Sequence, residues 1–132
     1  MAEHNDYGRL SENRVVKYLV GKRYKILAKN YRFHNGEVDI IVKETSKVRK
    51  NKNVLMSKET LKEDVVVFVE VKAKHSAEYG TPSEAVGETK RRKYNLVATE
   101  YMQKKGFEGM PFRFDIVEVL GDTVTNHIEN GF

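Results

Sequence analysis

The sequence predicts an α/β domain in which helices pack on a mixed β-sheet. Three observations lead there. Apolar residues recur at helical spacing near the start of the chain and again around residues 94–101, whereas the stretches 24–31 and 37–43 alternate in the manner of strands. Residues 65–69 are apolar without exception, which suits a strand covered on both faces in the middle of a sheet. The resulting order is helix, three strands, helix, then one or two strands, and 132 residues suit one domain.

The first helix is expected over residues 7–20, with Leu10, Val15, Val16 and Leu19 as its apolar stripe and Gly21 as its stop. A strand over 24–31 then turns at His34, Asn35 and Gly36 into a second strand over 37–43, making a hairpin. Residues 44–64 interrupt the pattern with Lys47, Arg49, Lys50 and Lys52 close together, and read as an extended, mobile, basic connection. The apolar strand follows and ends in Glu70, Val71, Lys72, Ala73 and Lys74. Thr81, Pro82, Ser83 and Glu84 have the composition of a helix start, with Gly87 inside the early turns and Tyr94, Val97, Ala98 and Tyr101 on one face up to Gly106. Residues 112–120 form a further strand, and residues 127–132 are the candidate for a short final one.

The composition narrows the chemistry. Twenty-four Lys and Arg against 19 Asp and Glu give a formal charge of +5, compatible with a polyanionic partner and equally with ordinary solubility. With no cysteine there is no disulfide, no thiolate nucleophile and no cysteine-held zinc or iron–sulfur centre. No apolar stretch approaches the roughly 20 residues of a membrane span, so the expectation is a cytoplasmic protein with no membrane partner. Phosphate-binding loops, dinucleotide fingerprints and nucleophile elbows are absent from the sequence.

One feature stands out against this background, because charge appears at the end of the most apolar strand. Alternation places Val66, Phe68, Glu70, Lys72 and Lys74 on one face. In the second strand it places Glu37, Asp39 and Ile41 on one face and Val38, Ile40 and Val42 on the other. An antiparallel register with Asp39 opposite Glu70 sets Ile41 against Phe68, Glu37 against Lys72, and Val38, Ile40 and Val42 against Val71, Val69 and Val67. A slip of two residues would bury Ile41 against Glu70. Two adjacent, partly desolvated carboxylates repel unless a cation intervenes, and oxygen donors favour Mg2+ or Mn2+. Such an ion polarises a phosphodiester, with Lys72 placed to orient the attacking water. The competing reading is that these are strand-end charges held in salt bridges, and residue chemistry alone leaves both open.

A resemblance adds to this reading. Asn30-Tyr31-Arg32, Gly36-Glu37-Val38-Asp39 and Phe68-Val69-Glu70-Val71-Lys72, with Gly8-Arg9 and Glu12, closely resemble the YraN family of bacterial proteins. Gly80-Thr81-Pro82, Glu84-Ala85-Val86, Lys90, Arg113-Phe114-Asp115-Ile116-Val117 and His127-Ile128-Glu129-Asn130 extend the likeness over nearly the whole chain. That family is similar to the PD-(D/E)xK nucleases and archaeal Holliday-junction resolvases. The likeness implies a restriction-endonuclease-like mixed sheet flanked by helices and catalytic positions at Asp39, Glu70 and Lys72. It also implies an additional acidic residue at Glu12, and an Mg2+ or Mn2+ ion held by Asp39, Glu70 and the Val71 carbonyl.

On that basis the expected activity is metal-dependent hydrolysis of DNA phosphodiesters, branched or structured DNA included, with RNA as a further possible substrate. A non-catalytic nucleic-acid-binding protein of the same fold and a protein-interaction scaffold are the alternatives. Arg9, Arg32, Lys74, Lys90, Arg91 and Arg92 are the candidate phosphate contacts, with a solvated charged face as the plain alternative for the run 90–93. Of that run, Lys90 shares the stripe of Tyr94 and Val97 and is the member expected to turn inward. Glu84 is expected to cap a helix, Asp115 to make an ion pair or loop hydrogen bond as readily as to touch metal, and His75 to be structural or solvated. Tyr79 and Tyr94 are expected in core or rim packing, with base stacking as the alternative. Self-association as a homodimer would suit a two-fold symmetric substrate.

Overall fold

Strand β3 (Lys62–Lys74) lies at the centre of the sheet in the computed structural model, which describes residues 3–47, 62–74 and 87–132. On one side of it are β2 (Gly36–Lys47) and β1 (Lys25–Phe33), and on the other β4 (Phe112–Leu120) and β5 (Thr123–Ile128), in the order β1-β2-β3-β4-β5. All neighbours are antiparallel except β3 and β4, which run parallel and therefore need a crossover. Helix α2 (Glu88–Lys104) lies within that crossover, and α1 (Glu3–Gly21) precedes the sheet.

The helices cover opposite faces. Val15 and Leu19 of α1 pack with Ile40, Val42, Val67 and Val69. On the other face Tyr94, Val97 and Tyr101 of α2 pack with Ile41, Phe68 and Phe114. Phe68 sits among Tyr101, Phe112 and Phe114 at ring separations of 5.9, 5.9 and 5.8 Å, and truncating so buried a ring would cost about 3–5 kcal/mol. Leu10 does not join the α1 stripe and is 67% exposed, because five residues at about 100° each set it about 140° away from Val15.

Several boundaries differ from the sequence expectation. The connection expected over 44–64 is ladder at both ends: Glu44 pairs with Val65, Thr45 with Asp64, Ser46 with Glu63 and Lys47 with Lys62. Backbone pairing carries the hairpin past the apolar residues, and the Thr45 hydroxyl donates to Asp64 at 2.7 Å. Residues 48–61 lie outside the described residues, as do His75, Tyr79, Thr81, Pro82, Ser83 and Glu84. Gly87 is the extended residue that opens α2 rather than one within a helical turn, its φ of −78° and ψ of 168° being strand-like. The final strand is Thr123–Ile128 rather than 127–132, since Gly121 at φ 62° turns the chain back directly after β4.

The register between β2 and β3 matches the hydrophobic argument where the strands pair, with Ile40 opposite Val69, Ile41 opposite Phe68 and Val42 opposite Val67, but the expected ladder pairs Asp39–Glu70, Val38–Val71 and Glu37–Lys72 do not form. Beyond Ile40 and Val69 the two strands stop pairing. There β2 stays with β1, with Val38 opposite Tyr31 and Glu37 opposite Arg32, while β3 stays with β4 as far as Lys74 and Leu120. The sheet therefore forks. Simple alternation also fails at this point, because Val38 joins the α2 layer although Ile40 and Val42 belong to the α1 layer. Next to this break is Asn30, held in the left-handed region at φ 51°.

Candidate active site at the fork

At the fork the Asp39 carboxylate takes over from the ladder: its Oδ2 accepts the Val71 backbone N–H at 2.8 Å. A side chain thus satisfies the first β3 donor left without a strand beside it. On the α2 side Glu70, 5% exposed, accepts hydrogen bonds from the Tyr94 hydroxyl at Oε2 and the Lys90 ammonium at Oε1. Lys72 lies 3.6 Å from the same Oε1. From α1 comes Glu12, one residue along from buried Ser11, accepting a hydrogen bond from the Asn30 amide at 3.3 Å. Two strand carboxylates and two ammonium groups thus stand together where the sheet opens, with Glu12 near enough to act on Asp39 through its charge.

Electrostatics show which carboxyl is least satisfied. Asp39 is pushed up to about 7, first by burial and then by the charge of Glu70, with Glu12 adding to the rise; the Val71 N–H and the Lys90 charge oppose it. The Tyr94 phenol is raised by burial and by Glu70 and Asp39, and so keeps the proton it donates. Ring contacts with Phe132 at 4.9 Å and Phe114 at 5.9 Å hold it in place.

A cleft of about 430 Å³ opens beside the site between the β1–β2 turn and the start of α2, lined by Asn35, Gly36, Gly87, Thr89, Lys90 and Lys93. Its wall depends on Gly36, where a Cβ would stand 2.9 Å from Val97 Cγ2 and 3.3 Å from the Lys93 carbonyl oxygen. Helix and turn could not approach so closely with any larger residue.

Comparison with known proteins places this geometry in a family. A sequence model described as "Uncharacterised protein family UPF0102" matches residues 11–119. The chain is 39% identical over 131 residues to a UPF0102 protein of Clostridioides difficile strain 630, covering 98% of this chain and 96% of the relative. It is 36% identical to one from Symbiobacterium thermophilum, covering 85% of this chain and 80% of the relative. A third, from Alkaliphilus metalliredigens, is 34% identical, with 95% and 96% covered. The chain belongs to the UPF0102 family. This is the YraN family that its motifs resemble, and the matched segment contains Glu12, Asp39, Glu70 and Lys72.

In this UPF0102 protein Asp39, Glu70 and Lys72 come together, with Glu12 close enough to act on Asp39 through its charge, whereas the candidate phosphate contacts have diverse surroundings. Arg9 and Arg91 are exposed. Arg32 pairs with Glu37 at 3.3 Å, so Glu37 does not face Lys72 as expected; its part of β2 has left β3. Lys74 pairs with buried Glu118, and Arg92 with Glu88 at 3.0 Å. Lys90 does turn inward. The hydrogen bonds to Glu70 were missed from the sequence, although Lys90 and Tyr94, one helical turn apart on a buried stripe, were the available signal. No helix among the described residues is long and apolar enough to cross a membrane.

A second carboxylate cluster lies on the far side of β4. Asp115, fully buried, accepts from Arg113 Nε at 3.0 Å and the Asn130 N–H at 3.2 Å, and shares a hydrogen bond of 2.7 Å with His127 Nε2. Arg113 continues to Glu44 at 2.9 Å and the Tyr24 hydroxyl at 3.2 Å, and His127 Nδ1 to the Tyr18 hydroxyl at 3.0 Å. Burial alone would raise Asp115, but the hydrogen bonds from His127 and Arg113 and the Arg113 charge bring it below the usual carboxylate range. The ion-pair reading of Asp115 is the one realised.

The donors at the fork suit a hard, well-hydrated ion. Among the described residues no three His, Cys, Asp or Glu side chains converge as a metal cage, so an ion here would rest on the two strand carboxylates and complete its shell with water. Mg2+ accepts that arrangement. Asp39, half-buried among like charges and raised toward neutrality, is the group such an ion would relieve.

Proposed function

We propose that this protein is a divalent-metal-dependent nuclease that hydrolyses DNA phosphodiesters, branched or structured DNA included. The observation that supports it most is the carboxylate pair at the fork, Glu70 buried and Asp39 half-buried, with Asp39 raised toward neutrality and Lys72 alongside Glu70. Asp39 and Glu70, with the Val71 carbonyl, would hold Mg2+ or Mn2+, and that ion when bound would polarise the phosphodiester and acidify a water. The Val71 N–H fixes the Asp39 carboxylate so that its other oxygen is available. Tyr94 fixes Glu70 from behind. Lys72 orients the attacking water and offsets charge developing on the phosphate, while Glu12 adds negative potential from α1. Arg9, Arg91 and Lys93 would track the phosphate backbone.

The test is cleavage of single-stranded, duplex, flap and four-way-junction DNA in Mg2+ or Mn2+. Asp39→Ala and Lys72→Ala should each lower the rate by at least about a hundredfold. Equal activity in wild type and both variants would overturn the proposal. A second reading, a nucleic-acid-binding protein without catalysis, draws on the occupation of both Glu70 oxygens by protein donors. Salt-dependent DNA binding with no cleavage, unchanged in Asp39→Ala, would select it.

A further inference from the structure

Lys90 stands where it serves neither the core nor the solvent. Its ammonium contacts Glu70 Oε1, its charge acts on Asp39, and the side chain is 37% exposed at the edge of the cleft lined by Thr89 and Lys93. Glu70 has a second lysine at 3.6 Å and a buried tyrosine on its other oxygen, so Lys90 is not needed to satisfy its hydrogen bonding. The distinctive property of Lys90 is that it brings positive charge to both strand carboxylates from a helix. We infer that Lys90 is a built-in countercation for the Asp39–Glu70 pair, displaced by the incoming metal ion and released into the neighbouring cleft, where with Lys93 it takes up a substrate phosphate.

The inference rests on the proposed metal site and deepens it. An ammonium held against Glu70 Oε1 competes with a divalent ion by charge and by space, so the arriving metal weakens this ion pair. Once displaced, Lys90 pivots on the first exposed turn of α2 beside a cleft lined also by Thr89, Lys93 and Glu37, the last with its carboxylate paired to Arg32. The exchange links two events: metal arrival frees a cationic side chain, and a phosphate that captures it removes the competitor for the metal. By reciprocity, each ligand strengthens the other. Lys90 is thus a positioning residue, and its removal should improve metal binding.

Two measurements test this on the intact chain. Mn2+ binding is measured by calorimetry for wild type, Lys90→Gln and, as a control in the last turn of the same helix, Lys104→Gln. Lys90→Gln should bind Mn2+ about five- to tenfold more tightly, since a cation facing the site is gone, and Lys104→Gln should match wild type. Labelling by an amine-reactive reagent, read by mass spectrometry on unmutated protein, should accelerate at Lys90 when Mg2+ is added while Lys93 labels at a constant rate. Mn2+ binding that is unchanged or weaker in Lys90→Gln, or Lys90 labelling indifferent to Mg2+, would overturn the inference while leaving the metal site standing. Failure of wild type to bind Mn2+ at all would remove both.

Discussion

Two carboxylates withdrawn from solvent, Asp39 half-buried at the fork and Asp115 fully buried on β4, show how differently similar groups can be satisfied. Asp115 is the more deeply buried, yet Arg113, His127 and the Asn130 N–H meet both of its oxygens and its charge is stabilised. Asp39 is less buried, but its cationic support is shared with Glu70 while Glu12 adds a third negative charge, and it is driven up to about 7. Burial alone therefore says little about function. What separates the two is whether the protein supplies enough positive charge: where it does, the carboxylate ties elements together, and where it falls short, the carboxylate can still accept a cation.

The most damaging way to probe the contrast is Asp115→Ala, which leaves the Arg113 guanidinium and the imidazole of His127 without their shared acceptor. Stability should fall by about 3–5 kcal/mol in urea-induced unfolding, and Mn2+ affinity of the folded fraction should not change. An intact midpoint would show that Asp115 is no more structural than Asp39.

At the fork the expectation reverses. The Asp39 pKa is about 7 in the folded protein and 3.8 unperturbed, so between those values the folded state retains a proton that the unfolded chain has released. Its contribution is complete below about pH 4 and is lost as the pH rises through about 7, so the metal-free protein should weaken across that window. Asp39→Asn should flatten this slope and be more stable than wild type above neutrality by about 2 kcal/mol, provided no metal is present. Denaturant unfolding at pH 5 and pH 8 checks the direction, and a variant weaker than wild type at pH 8 would contradict it.

The smallest effect should come from Tyr18→Phe, which removes the 3.0 Å hydrogen bond to His127 and should cost about 1 kcal/mol without altering metal binding. A larger loss would mean that α1 depends on this contact for its seating over β4 and β5.

Much of the site could be read from the sequence because local rules and tertiary packing agree there. The apolar run before Glu70 and the alternation before Asp39 specify a register that keeps Ile41 on Phe68, and the structure retains it. Alternation could not reveal that the pairing ends one step later, since the separation of β2 from β3 goes with the different partners of each strand. For that reason Val38 changes layer and Glu37 turns to Arg32. The Arg113–Glu44–Tyr24 network was hidden for another reason: its members come from three strands or their approaches, and no local spacing connects them. Lys90 was visible as a member of an apolar stripe, but its carboxylate partner is on a strand 20 residues away.

The fork also has a mechanical meaning. Above it β1 and β2 form one leaf and β3, β4 and β5 another, and the seam between the leaves begins at Ile40 and Val69. Any ion clasped between Asp39 and Glu70 would act as a rivet at the open end of that seam, so that loading the site should slow amide exchange along residues 31–38, from beside the coordinating carboxylate out to the tip of its leaf.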